Sequence, residues 1–347
     1  MHVPDGFINA PVSAVTGVVA AGAIAVSLRG ARRELDEKTA PLAGLVAAFI
    51  FAVQMLNFPV AAGTSGHLLG GALAAILVGP FTGVLCVSVV LLMQGILFAD
   101  GGLTALGVNI TDMAIVTTVV SYAVFRGLVK VLPRKKRSIT AAAFVSALLS
   151  VPAAAVAFTL IYALGGTTDV PITKVATAMI GVHVLIGIGE ATITALTVGA
   201  VIAVRPDLVY GARGLQQRLK LRVGGELVDA PAPAAVPVAA RTSRRKVWAV
   251  GLVTSLVLAG FVSFYASASP DGLEKVAKDQ GIDQNTKKHH TEDSPLAGYG
   301  VKDISDARIS GGLAGVIGVG VTVVAGTGIF WAVRRRRTAD VSPSQVA

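Results

Sequence analysis

Apolar runs of about 20 residues recur through this 347-residue chain, and they constrain its fold more than any other feature. A run of this length crosses the roughly 30 Å hydrocarbon core of a bilayer as one helix. Only 14% of the residues are charged and 53% are hydrophobic, so polar side chains are too few to cover a soluble globule of this size. We therefore predict an all-α integral membrane protein. About nine transmembrane helices are expected, at residues 11–29, 41–60, 66–80, 82–99, 104–127, 140–163, 174–204, 247–267 and 311–333.

Short clusters of Arg and Lys beside alternate spans predict the topology. They begin at Arg29, Arg126, Arg205, Arg244 and Arg334. All of them fall on one side of the membrane if the spans alternate from an external N-terminus, which predicts a cytoplasmic C-terminus. The net charge of +10 is thus a topology signal and not a nucleic-acid surface. We expect a multi-pass protein of a bacterial or archaeal plasma membrane.

Composition divides the chain into two membrane units. Residues 1–205 form a seven-span unit, and residues 206–244 are a polar, basic stretch that continues into an Ala/Pro-rich segment. Such a segment is typical of a semi-rigid linker, here predicted to be cytoplasmic. Residues 245–337 form a two-span unit with an external loop at 268–310, and residues 338–347 form a cytoplasmic tail.

The first two residues, Met1 and His2, can chelate a metal ion. The amine of Met1, the backbone nitrogen of His2 and its imidazole close one five-membered and one six-membered ring around a single ion. A tetragonal all-nitrogen set suits nickel(II) or copper(II) better than zinc, and cobalt(II) is also compatible. No basic region or cleavage site typical of a signal peptide is evident near the start, so we expect this terminus to be retained.

A fourth nitrogen is available from His67, in a Gly-rich loop at residues 57–67 between the second and third spans. The predicted topology puts this loop on the same external side as His2. The turn-forming residues Pro4, Asp5 and Gly6 would fold the terminus back onto the helices. Met1, His2 and His67 are therefore the predicted metal ligands, in a square of four nitrogens whose affinity rises with pH.

Other polar residues are candidates for holding these ligands or for an ion pathway. They are Asn57, Ser65, Gln94, Asp100, Asn109, Asp112, His183 and Glu190. His183 and Glu190 are seven residues apart and share a helix face, while Asn109 and Asp112 share another. Ionisable groups at membrane depth mark functional sites, although hydrogen-bonded pairs between helices are nearly as common. A role in packing or in supporting the ligands is favoured.

Several other features limit the chemistry of the chain. His289 and His290 lie in a hydrophilic loop where a solvated run is expected rather than a metal ligand. Cys86 is the single cysteine and lies in an apolar stretch, which predicts a small buried hydrophobe. No Gly-Lys pair, and hence no phosphate-binding loop, occurs in the sequence. We therefore predict a transport component and not an enzyme, with energy for uphill transport supplied by a partner.

Four motifs carry a family resemblance. They are residues 1–7 (MHVPDGF), 57–67 (NFPVAAGTSGH), 100–109 (DGGLTALGVN) and the stretch from His183 to Glu190. Together they resemble the substrate-binding membrane component of nickel/cobalt transporters of the energy-coupling-factor (ECF) type. The second unit, with residues 270–277 (PDGLEKVA) and 294–299 (SPLAGY), resembles the small two-span PDGLE-type accessory subunit of the same transporters. The resemblance covers nearly the whole chain.

The resemblance implies a division of labour between subunits. This chain would bind nickel(II) or cobalt(II) as transported substrate, with no other cofactor, through Met1, His2 and His67. A transmembrane coupling subunit and one or two ABC-type ATPases would drive release into the cytoplasm, and the accessory loop would help metal loading. The strong field of a deprotonated amide favours nickel. Cobalt, including cobalt supply for cobalamin biosynthesis, stays open.

Two other functions are compatible with the same residues. One is a secondary transporter driven by a proton or sodium gradient, with Asp112, His183 and Glu190 as coupling groups. The other is a membrane metal sensor or scaffold that binds the ion without transporting it.

Overall fold

The computed structural model describes residues 1–35, 39–61, 63–133, 135–215, 220–223, 226–229 and 243–339. The fold is helical, as predicted, with two short β-hairpins. The helices are α1 (Ala10–Glu34), α2 (Ala40–Gln54), α3 (Gly71–Val78), α4 (Pro80–Leu97), α5 (Leu106–Val131), α6 (Lys136–Gly165), α7 (Ile172–Val204), α8 (Arg244–Gly260), α9 (Gly272–Gln280) and α10 (Ala307–Ala339). The antiparallel hairpins are β1 (Phe58–Ala61) with β2 (Thr64–Gly66), and β3 (Lys220–Val223) with β4 (Glu226–Asp229).

Each predicted span corresponds to a helix, but two of these helices are shorter than predicted. Among the described residues, seven helices are long and apolar enough to cross a membrane: α1, α4, α5, α6, α7, α8 with its following turn, and α10. The α2 helix has 15 residues and α3 only 8. Gly70 and Gly79 bound α3 with φ angles of 90° and 104°, which end a helix. In the described part of the chain, the nine predicted spans thus correspond to seven long helices and the two short helices α2 and α3.

The short helices lie inside the bundle and the long ones surround them. Every residue of α3 is buried, as is most of α2. By contrast, α1 exposes Val15, Val18 and Val26, which form an apolar face suited to lipid. Cys86 is buried in α4, as predicted. Buried short helices and lipid-facing long helices indicate a multi-pass membrane protein.

The second unit packs directly on the first. The α10 helix lies along α2, where Gly44 and Gly326 leave room for close approach of the two backbones. Small residues at such crossings are typical of helix association in membranes. The N-terminal segment and the loop at residues 268–310 meet at the same end of the helices, because Lys287 donates its backbone N–H to the carbonyl of Asp5 at 2.8 Å.

The predicted linker lies partly outside the described residues. Its described parts are two short 3₁₀ turns, Pro206–Leu208 and Tyr210–Leu215, and the β3–β4 hairpin. The Ala/Pro-rich stretch predicted to be extended lies outside the described residues. Residues 340–347 of the predicted tail also lie outside them, whereas α10 continues to Ala339.

Candidate metal centre

Asn109 holds the start of the chain inside the bundle. Its side-chain oxygen accepts from the backbone N–H of Val3 at 2.7 Å, and its Nδ2 donates to the carbonyl of Val3 at 3.1 Å. The carbonyl of Val3 also accepts from the N–H of Gly102 at 2.9 Å. Strand-like pairing of this kind satisfies the extended terminal backbone, and Met1 is only 2% exposed. Asn109, a predicted supporting residue, therefore contacts the terminal segment directly.

The predicted turn at Pro4, Asp5 and Gly6 is present and is fastened to the loop before α5. The buried Oδ1 of Asp5 accepts from the backbone N–H of Thr104 at 2.8 Å and from its hydroxyl at 2.5 Å. Gly6 has a φ of 93°, a conformation that favours glycine. The turn thus directs Met1 and His2 back toward the helices.

His67 lies directly after the β1–β2 hairpin and is 4% exposed. Its Nδ1 lies 3.0 Å from the carbonyl of Leu68, so Nδ1 carries the donated proton, and in the neutral ring Nε2 holds the lone pair. The Nε2 atom is 2.5 Å from the terminal nitrogen of Met1. Two of the predicted ligand nitrogens, 66 residues apart in the chain, are thereby brought into contact.

Glu190 stabilises the backbone that follows His67. Its two carboxylate oxygens accept from the N–H groups of Leu69 and Gly70, at 2.6 and 3.0 Å. Gln54 donates to the carbonyl of Leu69 at 3.0 Å. Because it binds two successive backbone amides, Glu190 supports the loop that carries His67, and its hydrogen bonds are not to Met1.

His2 lies between two polar partners that sequence reasoning placed near it. Its Nε2 is 3.1 Å from Oε1 of Gln94, and its Nδ1 is 3.3 Å from Oδ1 of Asp100. The imidazole stacks on that of His67, with ring centroids 5.0 Å apart. Burial lowers the pKa of His2 to about 4, against the opposing effect of Asp100, so the ring is neutral at pH 7. In the tautomer that donates from Nε2 to Gln94, the lone pair lies on Nδ1.

Asp271, from the loop of the second unit, completes the cluster. Its Oδ2 accepts from the terminal nitrogen of Met1 at 2.9 Å and lies 3.5 Å from Nε2 of His67. Donor atoms of His2, His67 and Asp271 all lie within 4.8 Å of one another. Burial acts to raise the pKa of Asp271, but the ammonium of Met1 and His67 hold it well below its ordinary value. This carboxylate is therefore charged beside the nitrogen donors.

Sequence reasoning did not assign a site role to Asp271 or to Tyr299. The Tyr299 hydroxyl donates to Oδ2 of Asp100 at 2.5 Å, and its ring stacks on Phe98. Burial raises the pKa of Tyr299 well above its ordinary value, so the hydroxyl remains a donor. Both residues lie in motifs of the accessory unit. Those motifs could have pointed to a site role for the second unit, but a motif does not show which of its side chains face the first unit.

The two remaining loop candidates contact the second unit. Ser65 donates its backbone N–H to the carbonyl of Pro270 at 2.9 Å and its hydroxyl to the carbonyl of Ser269 at 2.7 Å. The carbonyl of Asn57 accepts from the N–H of Ser267 at 2.7 Å. Asn57 also lines a cavity of about 680 Å³ between the two units, next to the donor cluster. Other cavity residues are His2, His67, Asp100, Asp271, Glu274 and Arg308.

His183 and Asp112 are not joined to the donor atoms by any hydrogen bond within the part of the chain that the structure describes. The Nδ1 of His183 donates to the carbonyl of Met179 at 2.7 Å, and the ring packs against Gly272. Asp112 is fully buried in a π-helical turn of α5, at Ile110–Val116. Neither carboxyl oxygen of Asp112 has a hydrogen-bond partner among the described residues, so Asp112 does not share the contact of Asn109 with Val3.

Comparison with known proteins identifies the family. The family model described as the cobalt uptake substrate-specific transmembrane region matches residues 2–208, and the model of the PDGLE domain matches residues 245–335. The chain belongs to the first of these families. The predicted resemblance to an ECF substrate-binding component fused to a PDGLE unit is confirmed.

Individual relatives agree with this assignment. The chain is 43% identical over 125 residues to the fused nickel transport protein NikMN of Rhodobacter capsulatus, covering 36% of each chain. It is 29% identical over 308 residues to the cobalt transport protein CbiM of Geobacter sulfurreducens, covering 85% of this chain and 83% of that protein. The crystal structure of a truncated transition metal transporter superposes with a TM-score of 0.51 at 29% identity, over 58% of this chain and 99% of the other. These relatives are transport proteins, in agreement with a non-enzymatic component.

Proposed function

We propose that this chain is the substrate-binding component of an ECF-type importer for nickel(II) or cobalt(II). The ion is held by the amine of Met1, the backbone nitrogen and imidazole Nδ1 of His2, and Nε2 of His67. Family membership supports the transport role. One observation carries the site, namely the 2.5 Å approach of the Met1 nitrogen to Nε2 of His67 in a buried environment.

That separation suits two ligands of one ion. Nitrogens bonded at about 2.0 Å to the same ion, at right angles, lie about 2.8 Å apart. The lone pair of His67 Nε2 already faces Met1, because Nδ1 is occupied by the carbonyl of Leu68. A hydrogen bond that fixes the other ring nitrogen is the usual partner of a metal-binding imidazole.

The setting of His2 supports its role as the second side-chain ligand. Burial keeps the His2 ring neutral, and its Nδ1 atom lies 3.3 Å from the Asp100 carboxylate. A cation bound to Nδ1 would therefore lie beside a negative charge that stabilises it. The Nδ1 atom is also the ring nitrogen that closes a six-membered chelate with the His2 amide. Nitrogen donors of this kind serve nickel(II) and cobalt(II), and the relatives above are named for one or the other.

Transport requires partners in this proposal. A transmembrane coupling subunit and ABC-type ATPases in the plasma membrane drive inward release, while this chain takes the ion from the outside. The experiment is uptake of nickel or cobalt into vesicles containing the chain with or without those partners. ATP-dependent uptake only with the partners supports the proposal. Uptake without them that is abolished by an uncoupler would favour a gradient-driven transporter, and binding without any uptake would favour a sensor.

Binding to the purified chain tests the site itself. Nickel and cobalt titrations compare the native terminus, verified by mass spectrometry, with a version that carries one extra residue before Met1. The insertion moves the terminal amine away from the chelate and leaves every side chain present. We expect loss of high-affinity binding. Unchanged binding would exclude the amine as a ligand and move the site elsewhere.

A further inference from the structure

The second unit reaches the metal site through one carboxylate. Asp271 is the second residue of the Pro-Asp-Gly-Leu-Glu stretch that begins at Pro270, and it lies 270 residues from Met1 in the chain. Its Oδ2 contacts the terminal nitrogen at 2.9 Å and lies 3.5 Å from Nε2 of His67. The side chain is 16% exposed and faces the cavity between the units.

The two oxygens of Asp271 have separate partners. Oδ1 accepts from the backbone N–H of Glu274 at 2.8 Å and caps the N-terminus of α9. Because this cap fixes the carboxylate plane, Oδ2 is directed at the terminal nitrogen. The orientation of Oδ2 is therefore set by the fold of the loop and does not depend on a bound ion.

The backbone around Asp271 is docked on the loop that carries His67. The N–H of Ser65 donates to the carbonyl of Pro270 at 2.9 Å, two residues before His67. On the other side, Gly272 packs so closely on His183 and Ile186 that a side chain at this position would displace Ile186. The hydrogen bond of Ser65 to Pro270 and the packing of Gly272 on Ile186 together place Asp271 against the nitrogen donors.

We propose that Asp271 is a positioning residue of the metal site, holding the Met1 amine beside Nε2 of His67. This inference rests on the proposed function. A metal-bound amine still carries two N–H bonds, so Asp271 can accept from it before and after the ion binds. The carboxylate also offsets part of the charge of the cation. The two-span unit thereby becomes part of the binding site of the seven-span unit.

Substitution Asp271→Asn tests this role without removing the cap. Asparagine is as good an N-cap as aspartate and has nearly the same volume, but it lacks the negative charge. Asp306→Asn is the matched control, because exposed Asp306 caps α10 through Arg308 and Ile309 at 2.9 and 3.0 Å. Asp271→Ser, which also supplies a capping oxygen, is the second variant if the first does not fold.

The measurement is nickel titration of the full chain with its native terminus, together with the absorption spectrum of the bound ion. We expect Asp271→Asn to weaken nickel binding by about tenfold or more, the usual effect of removing a partner of a metal ligand. Asp306→Asn should bind as the wild type does. At saturation the absorption band should stay in place, because the four nitrogen ligands remain.

The outcomes separate this inference from the function on which it rests. If the wild type binds nickel and Asp271→Asn binds equally well, the positioning role is overturned and the proposed site stands. A shifted absorption band in Asp271→Asn would overturn it in favour of direct ligation. If the wild type itself does not bind nickel, the proposed function fails first. An equal loss of nickel affinity in Asp306→Asn would also overturn the positioning role, because the loss would then reflect general destabilisation of the loop.

Discussion

The chain has two pairs of histidines at the same end of its helices, and they differ in surroundings. His2 and His67 are buried, stacked on each other and in contact with the terminal nitrogen. In the loop of the second unit, the His290 side chain is 66% exposed, and Nε2 of His289 donates to the carbonyl of Gly101 at 3.0 Å. Donor atoms of the first pair lie, with Asp271, within 4.8 Å of one another, whereas in the second pair His289 bonds a backbone carbonyl and His290 is exposed.

The contrast between the two pairs shows that residue type alone does not make a metal site. Donors that are dehydrated and oriented in advance lose little freedom when an ion binds, whereas an exposed imidazole must be ordered and dehydrated at that moment. His289 instead helps to fasten the loop, together with Thr291, whose hydroxyl donates to the carbonyl of Gly95 at 2.9 Å. The loop histidines support the interface between the units, while the buried pair belongs to the candidate metal centre.

Removing a buried imidazole should have the largest effect. We expect His2→Ala and His67→Ala each to abolish nickel or cobalt binding and uptake, because each removes a side-chain ligand from a set that has no spare nitrogen. Isothermal titration and uptake assays measure the loss, and the amount of protein in the membrane serves as the control. Normal uptake in either variant would refute the assignment of that histidine.

The pH dependence of binding should be the next largest effect. The pKa of His2 is about 4, so this imidazole needs no deprotonation above pH 6. The amine and the amide do release protons to the ion, and each released proton makes the affinity rise by about tenfold per pH unit. With two released protons, we expect nickel affinity to rise by about ten-thousandfold between pH 6 and 8. A flat profile would contradict coordination by the terminal backbone.

Loosening the terminal segment should weaken binding without removing a ligand. Asn109→Ala loses both hydrogen bonds to Val3, worth together about 2 kcal/mol or about thirtyfold in affinity. Thr111→Val is the control on the same helix, since its hydroxyl bonds only locally, to the carbonyl of Gly107. Nickel titration of both variants checks the prediction. Equal affinities would show that Val3 does not need this support.

The smallest effect is expected from the two histidines in the loop of the second unit, His289 and His290. The double substitution His289→Ala with His290→Ala should change equilibrium nickel affinity by less than about threefold, because the nitrogen set is complete without them. The same titration is sufficient, with His67→Ala alongside for comparison. A loss as large as that of His67→Ala would make the loop a ligand donor and would remove the contrast between the two pairs.

Much of the candidate centre could be predicted from local features. Met1 and His2 are covalent neighbours, so their chelate geometry needs no fold, and the Gly-rich loop identified His67 as the partner. Gln94 and Asp100 were chosen as polar residues near span ends and Asn109 as a polar residue at membrane depth, and all three contact the terminal residues.

Other expectations failed where the local geometry departs from a regular helix. Asp112 and Asn109 were grouped by a spacing of three in a regular α-helix, but the turn at Ile110–Val116 is π-helical. The span predicted at residues 66–80 is a helix of 8 residues, because Gly70 and Gly79 adopt positive φ values. Hydropathy reports the length of an apolar run and does not report where its backbone stops being helical.

That the chain is helical and membrane-embedded, and that its first two residues can chelate an ion, follows from the sequence alone because these properties depend on neighbouring residues. The contacts of Asp271 with Met1 and of Tyr299 with Asp100 are visible only in the tertiary structure. Their positions depend on contacts between distant backbones, such as Ser65 with Pro270. Such contacts arise from packing of whole units, and no local pattern of hydrophobic or polar residues encodes which two loops will meet.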